Sequence, residues 1–427
     1  MQLPQDFVRL MHEQYGTDTA EALCHALLET EPEVSVRLNP RKGRTLTIAP
    51  SLHTEPVPWC PDAYYLSERP PFTFDPLLHA GAYYVQEASS MYIAEVLQKH
   101  LGLNSKFKIQ DSKLNSQPSS LNCQLSTVNC QLSTIQALDL CAAPGGKSTL
   151  LAGLLPEGSV LVSNEPIAKR AQILSENMQK WTRVAEGEYP VRCYVTQKYP
   201  AEFSRFTDVF DLLVADVPCS GEGMFRKDEV AVQEWSLQNV EHCWQRQRQI
   251  IQVIWHVLKP GGLLIYSTCT FNHFEDEDNA RWICDTLGAE LLEERHFLPG
   301  RDRGEGFYCA AIRKNSLPQP LPRRGDELAR LENLLPSLGG VGGGCLPPAF
   351  VVEPDMPRIE LDYTEALQYL RREAIRVPAP RGMVLLCYKG YVLGPGKCVG
   401  NRINNLYPDP WRIRTTYTTP FSLAADV

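Results

Sequence analysis

The middle of the chain predicts an α/β fold built on a doubly wound parallel sheet, and two observations carry that prediction. Apolar runs without polar alternation recur at 137–142 (ALDLCA), 159–165 (SVLVSNE), 191–196 (VRCYVT), 210–217 (FDLLVADV) and 262–269 (GLLIYSTC). Such Val/Leu-rich runs fit strands covered on both faces. Between them lie stretches with helical character at 147–155, 167–180 and 233–258. Strands that alternate with helices return to the same edge and so run parallel. A closing hairpin through Phe297 and 307–312 follows.

The flanking segments differ in kind. Residues 1–75 read as a small α+β unit: 7–11 and 20–28 have helical spacing, and 33–38 (EVSVRL) alternates like a strand. The strand runs into RLNPRKG, which on its residues alone is a solvated basic turn. Residues 76–314 form the main domain. Within it, 104–135 holds LNCQLST (121–127) followed at once by VNCQLST (128–134), too polar for a coiled coil. A flexible surface insertion is expected there, with Cys123 and Cys130 idle. The Pro- and Gly-rich stretch 315–350 marks a linker or small subdomain. Residues 351–427 form a small β-rich domain that ends in NRINNLYPDPWRIR; from Met356 onward it has 10 basic and 6 acidic residues. Arginines beside exposed aromatics can stack on bases and hold phosphates, and an aromatic core of a small barrel is the equal alternative.

Composition narrows the possibilities. Of 427 residues, 43% are hydrophobic and 22% charged, which excludes wholesale disorder. No run of 18 apolar residues predicts a membrane helix, and the first residues lack the pattern of a secretory signal, so a cytoplasmic protein is expected. The net charge of −8 argues against a nonspecific nucleic-acid coat but permits a local basic groove. None of the 14 cysteines forms a C-x-x-C pair or stands beside spaced histidines, so no metal is expected. In a reducing compartment most are small buried hydrophobes.

The candidate chemistry sits at strand ends. Cys141, Ala142, Ala143, Pro144, Gly145, Gly146 and Lys147 leave the first strand of the sheet and open a helix. Small residues let a ligand approach the backbone, and the helix start offers free N–H groups. Neither the dinucleotide nor the P-loop pattern is present. Glu165 ends the second strand, where an acidic side chain can accept both hydroxyls of a ribose. Two further strand ends carry cysteines: Asp216-Val217-Pro218-Cys219-Ser220-Gly221-Glu222 and Tyr266-Ser267-Thr268-Cys269-Thr270. Open α/β sheets bind ligands at the carboxyl ends of their strands, so two thiols, a carboxylate and a ligand loop converge. Glu275 to Asp278 read as the acidic start of a helix. No histidine has a spacing that argues for catalysis.

The strings DLCAAPGGKST, DVPCSGEGMFRKD and YSTCTFNHFEDEDN, with GAYYVQEASSM and RLNPRK upstream, resemble the Nop/Sun family of RNA cytosine-5 methyltransferases. RDRGEGFYCAAIRK and GNRINNLYPDPWRIR extend the likeness downstream, the latter to the PUA-like module of the bacterial small-subunit rRNA members. The resemblance implies a Rossmann-like methyltransferase sheet with S-adenosylmethionine as cofactor. It implies action on RNA, first of all rRNA or a ribosomal subunit, with tRNA as the alternative substrate; nothing in the sequence suggests an obligate oligomer, and a monomer is expected. An inert RNA-binding assembly factor of the same fold is the alternative function. By the same resemblance Cys269 attacks carbon 6 of the base, Cys219 helps release the product, and Asp216 holds the base edge and the methionine end of the cofactor. A thiolate is needed at Cys269, and Lys147 is the candidate positive neighbour. Residues 141–147 face the adenosyl group, Glu165 the ribose, and Arg170 is a further candidate. The family's acidic residue after the third strand is missing, and Gln197 stands there. Arg37, Asn39, Lys42, Arg226, Arg402, Tyr407, Trp411 and Arg412 are the expected RNA contacts, and Met224 to Arg226 a gate to the base pocket.

Overall fold

A computed structural model describes residues 2–42, 46–103, 134–184, 189–316, 355–415 and 419–424. The repeat insertion, except its last two residues, and the 315–350 stretch, except its first two, lie outside the described residues, as do Cys123 and Cys130. Among the described residues no helix is long and apolar enough to cross a membrane.

Two helices, α1 (Gln5–Tyr15) and α2 (Thr17–Glu29), join at Gly16, whose φ of +75° allows the sharp turn between them. β1 (Val34–Leu38), β2 (Glu55–Pro56) and β3 (Ala63–Leu66) then pair antiparallel, and after a short helix, α3 (Pro76–His79), β4 (Tyr83–Val85) joins the other side of β1. The first unit therefore reaches beyond the boundary expected at 75. Asp75 is a node of this fold rather than its edge. Fully buried, it accepts hydrogen bonds from Leu77 N at 3.0 Å, the Tyr83 hydroxyl at 2.9 Å and Leu423 N at 2.8 Å.

After α4 (Ile93–Leu101) comes the central sheet, formed by β5 (Gln136–Asp139), β6 (Val160–Asn164), β7 (Arg192–Thr196), β8 (Phe210–Asp216), β9 (Leu258–Thr268), β10 (Ala289–Phe297) and β11 (Phe307–Lys314). Their order is β10-β11-β9-β8-β5-β6-β7, parallel from β5 to β9 and closed by the antiparallel β10–β11 hairpin. α5 (Gly146–Leu154) and α6 (Ala168–Thr182) connect its first three strands. The order reverses between β5 and β8, and that switch point opens the crevice where ligands bind in such sheets. The single helix expected over 233–258 is two, α7 (Glu229–Glu234) and α8 (Leu237–Ile254). Ser236 adopts extended backbone and its hydroxyl accepts from Asn239 N at 3.1 Å, an N-cap that starts α8 afresh. α9 (Glu277–Leu287) precedes the hairpin.

The C-terminal unit has β12 (Arg358–Glu360), α10 (Tyr363–Leu370), β13 (Gly382–Tyr388), β14 (Tyr391–Cys398) and β15 (Ile403–Asn405), in one sheet of order β12-β13-β14-β15. Tyr407 is fully buried, its ring 5.3 Å from that of Tyr369 and 6.0 Å from that of Trp411. Both Tyr407 and Trp411 are core residues here, which corrects their reading as exposed stacking platforms. This unit shares one apolar cluster with the first: Val36, Leu77 and Tyr83 pack with Leu370, Tyr391 and Leu423.

Arg37 in β1 and Asn39 just after it are buried and Lys42 is half-buried with its ammonium on backbone carbonyls, so these three are not the solvent-facing RNA contacts expected of them. Arg37 is 2% exposed and donates to Gln86 Oε1 at 3.0 Å, Thr149 Oγ1 at 2.7 Å and Gly146 O at 3.2 Å, with its guanidinium 4.5 Å from the Trp181 ring centroid. Asn39 donates to Gly81 O and Trp181 O, both at 2.9 Å. Lys42 donates to Lys180 O at 2.8 Å and to Arg183 O. Their acceptors include the carbonyls of Gly146 in α5 and of Lys180 and Trp181 in α6, where long polar chains satisfy groups that helix packing would otherwise strand. Arg37→Ala is expected to cost roughly 2–4 kcal/mol of stability, because it leaves several buried acceptors unpaired. Arg402→Ala, at an exposed position, is expected to stay within about 0.5 kcal/mol. Urea unfolding of the two variants checks the contrast.

Candidate active site

Four strand ends build the site. The loop after β5 turns through Gly145 at φ +116°, a left-handed conformation, and a Cβ there would lie 3.3 Å from Leu174 Cδ1. Only glycine serves both demands. Side chains of α6 hold the loop from outside: Arg170 donates to Ala143 O at 3.0 Å and Asn177 to Pro144 O at 2.8 Å. Beneath it the fully buried Asp139 accepts from the Ser148 hydroxyl at 2.6 Å, and burial pushes its pKa up to about 7.

At the end of β6, Glu165 is 1% exposed. One carboxylate oxygen accepts from Ile167 N at 3.0 Å. The other, Oε2, is buried with no hydrogen-bond partner and has only Arg170 Nη1 at 3.4 Å. A buried, unpaired acceptor costs free energy unless a ligand completes it, and a pair of vicinal hydroxyls suits it. Gln197 uses its amide N–H on Pro166 O at 3.3 Å, in the turn that follows Glu165. The loop, Glu165 and Gln197 thus line one side of the crevice.

The cysteines meet on the other side. Cys219 lies just beyond β8 and Cys269 just beyond β9, and their sulfurs are 3.3 Å apart. The hydrogen bond to Cys269, reinforced by burial, pushes the Cys219 thiol well above the ordinary range. In this contact either sulfur can be the donor. Asp216 accepts from Lys147 Nζ at 2.8 Å and from the Ser267 hydroxyl at 2.9 Å. Burial works against the Lys147 charge, but Asp216 outweighs it and raises the ammonium's pKa. Cys269 acts in the same direction, so Lys147 is close enough to serve a thiolate electrostatically.

Two buried carboxylates that sequence reasoning passed over hold this arrangement. Glu222, in the Cys219 loop, accepts from the Thr270 hydroxyl, Phe271 N at 2.6 Å, Asn272 N at 3.1 Å and the Trp235 indole at 2.9 Å. Glu275, beyond Cys269, reaches the opposite way to Ser220 N at 3.0 Å, and also accepts from Gln247 Nε2 at 2.6 Å and Asn272 Nδ2 at 2.9 Å. Each motif thus carries a carboxylate that grips the other. Gly223 N adds a bond to Cys269 O at 2.8 Å. Glu275 and Asp276 are fully buried and precede α9, so only Glu277 and Asp278 fill the helix-start role expected of all four. The nearest signal in the sequence was their position three and six residues from a motif cysteine.

The proposed gate divides. Met224 is exposed, whereas Phe225 is buried with its ring 5.1 Å from that of Phe7. Arg226, expected on RNA, is committed to Glu305 through bonds of 3.1 Å and 3.0 Å with its side chain only 6% exposed. Arg402 and Arg412 are exposed, as an RNA contact requires, and Arg412 has Asp409 at 3.5 Å.

Burial raises the pKa of Glu275 from 4.5 to about 7. The folded state then holds a proton that the unfolded state releases between those values, so stability falls as pH rises through this window. Glu275→Gln is expected to reduce that fall. Urea midpoints of both proteins, taken at several pH values between about 4.5 and 7, measure it.

Comparison with known proteins agrees with this geometry. A sequence model described as 16S rRNA methyltransferase RsmB/F matches residues 129–313, the N-terminal domain of 16S rRNA methyltransferase RsmF matches 3–88, and the methyltransferase RsmF PUA domain matches 357–413. The ribosomal RNA small subunit methyltransferase F of Pectobacterium atrosepticum is 32% identical over 65% of this chain and 54% of its own. The chain thus spans about half the length of that relative. The protein of the same name from Aeromonas hydrophila is 25% identical over 95% of this chain and 96% of its own. Among solved structures, a methyltransferase homolog protein from Pyrococcus horikoshii shares the fold at a TM-score of 0.54, with 22% identity over 73% of this chain and 95% of its own. The NSun6 structure from the same organism gives 0.54, with 16% identity over 73% and 98%. One match falls on the sheet that carries both thiols and one on each flanking unit, so this chain is similar, unit by unit, to RsmB/F-type 16S rRNA methyltransferases.

Proposed function

We propose that this protein transfers a methyl group from S-adenosylmethionine to carbon 5 of a cytosine in RNA, with small-subunit rRNA as the substrate, through a covalent adduct between Cys269 and carbon 6. The observation that carries the reading is the pair of sulfurs 3.3 Å apart beside the Asp216–Lys147 pair, at the switch point of the sheet. The family-model match and the names of the relatives support the same substrate class. An rRNA substrate also fits the cytoplasmic location expected from the sequence.

Residues 141–147 and Glu165 suit the cofactor: a close-approach glycine turn, a helix start, and a buried carboxylate oxygen without a partner. Gln197, whose amide N–H reaches Pro166 O in the turn after Glu165, is the residue that would face the adenine. When bound, the cofactor supplies an electrophilic methyl carbon on a sulfonium.

Carbon 5 of cytosine is a poor nucleophile until a thiolate adds at carbon 6. Cys269 is the residue for that addition by the resemblance of its T-C-T motif, and Lys147, paired with Asp216 at the same strand ends, is the positive neighbour for the thiolate. The electron pair displaced from the 5,6 bond runs toward N3, where Asp216 holds the base edge. After carbon 5 is methylated, its proton must leave and the carbon–sulfur bond must break. Cys219, its own proton first passed to solvent, is placed to take that one, while the C5–H electron pair re-forms the 5,6 double bond and expels Cys269 as thiolate. The base must be single-stranded or flipped out to reach this depth, at a cost of a few kcal/mol. Arg402 and Arg412 are the exposed candidates for the RNA backbone.

Cys269→Ser is expected to abolish methyl transfer to rRNA, and Cys219→Ala to leave protein covalently attached to RNA, seen as a retarded band on a denaturing gel. Activity that survives in Cys269→Ser but dies in Cys219→Ser would instead assign the nucleophile to the P-C motif. Glu165→Ala is expected to weaken cofactor binding about 10- to 100-fold by calorimetry, the scale of one or two hydrogen bonds to a charged acceptor. Bisulfite sequencing of rRNA and tRNA from cells with and without the gene identifies the modified nucleotide.

A further inference from the structure

We infer that His296 is a positioning residue, an imidazolium that holds the turn following Cys269. This rests on the catalytic reading above for its consequence, though not for its geometry. His296 ends β10, its side chain is 8% exposed, and its two ring nitrogens face only acceptors.

Nε2 lies 3.1 Å from Thr270 O and 3.4 Å from a carboxylate oxygen of Asp276. Nδ1 lies 3.1 Å from a carboxylate oxygen of Glu277 and 3.1 Å from the Tyr15 hydroxyl. That hydroxyl has already spent its proton on Phe271 O at 2.5 Å, and burial, which raises the Tyr15 pKa, keeps the proton there. A neutral imidazole carries one N–H, so one of its nitrogens would point a lone pair at an acceptor. Only the doubly protonated ring satisfies both sides. The competing arrangement puts the proton on Asp276, whose Oδ2 is buried without a hydrogen-bond partner and whose pKa burial raises strongly. Thr270 O decides against it, because this carbonyl is nearer to Nε2 than the carboxyl is and cannot donate.

The surroundings favour the cation. Burial works to raise the Glu277 pKa, but His296 outweighs it and the carboxylate stays ionised. Arg301 uses its guanidinium on the backbone carbonyl of His296, and Tyr308 packs its ring edge-on at 5.4 Å with its hydroxyl turned to Glu294. His273 packs its ring edge-on against Tyr15 at 4.8 Å and also helps to lower the Glu277 pKa. The cation therefore ties β10, α1 and α9 to the carbonyls of Thr270 and Phe271, one and two residues beyond the nucleophile. Glu222 holds the N–H side of the same turn.

The test uses the full-length protein labelled with 15N-histidine, with the His296 signals assigned by their loss in His296→Gln. Two protonated ring nitrogens at neutral pH support the inference; one protonated nitrogen overturns it, and so does stoichiometric metal in the purified protein. In methyl transfer, His296→Gln is expected to lower kcat about 10- to 100-fold with KM for RNA and cofactor within about twofold, the pattern of a misplaced reacting group. An unchanged kcat overturns the positioning role. Should that variant fail to fold, Tyr15→Phe serves: its Nδ1 signal is expected to shift and its kcat to fall by a smaller factor, and no change in either overturns the proposal. Because the spectrum reads the ring without turnover, an inactive protein with a doubly protonated ring sinks the catalytic reading alone. A singly protonated ring in an active enzyme sinks this inference alone.

Discussion

Two carboxylates crossing between two loops set the distance between the sulfurs. Glu222 leaves the Cys219 loop to bind the N–H groups of Phe271 and Asn272, and Glu275 leaves the Cys269 loop to bind the N–H of Ser220. Burying a carboxylate is costly, and here the cost is offset by several donors on each. The donors belong mainly to backbone and to short side chains, which have little freedom to move away. A 3.3 Å contact between side chains on separate strand ends needs such bracing, because neither loop is regular structure and each alone would wander by more than that. Asp216 and Lys147 form a third tie, between the β8 end and the start of α5. Thiol pair and cofactor loop are thereby held in one frame.

The N-terminal unit is part of that frame. Arg37, Asn39 and Lys42 reach past their own sheet to carbonyls and a hydroxyl on α5 and α6, the helices that shape the loop at 141–147. Phe7 of α1 packs against Phe225 behind the Cys219 loop, and Tyr15 of the same helix bonds to the turn beyond Cys269. A segment from which RNA contacts were expected thus buttresses the central sheet from two directions. The C-terminal unit leans on the N-terminal one through a common apolar cluster, and Leu423 N closes the contact on Asp75. The exposed arginines of the C-terminal unit, Arg402 and Arg412, are then carried on a base that cannot swing freely from the sheet.

By itself the sequence determined the central sheet, since buried parallel strands need continuous apolar runs and the runs at 137–142, 159–165, 191–196, 210–217 and 262–269 admit little else. It determined also which residues stand at the strand ends: a glycine turn, Glu165, Asp216 and two cysteines in small-residue motifs. The break at Ser236 was less legible, for a capping serine inside an amphipathic stretch looks like any polar position. Tertiary structure alone decided where the charged and aromatic residues go. RLNPRK has the composition of a solvated turn, yet each of its long side chains finds a helix carbonyl that no local pattern announces. Tyr407 and Trp411 look like a stacking surface and are a core, because the partners that cover them come from other elements and, for Trp411, from α6 as well. Glu222, Glu275 and His296 are the same case in the site itself. Their neighbours are up to 281 residues away in sequence, and a side chain's charge state and partner are properties of the place it is folded into.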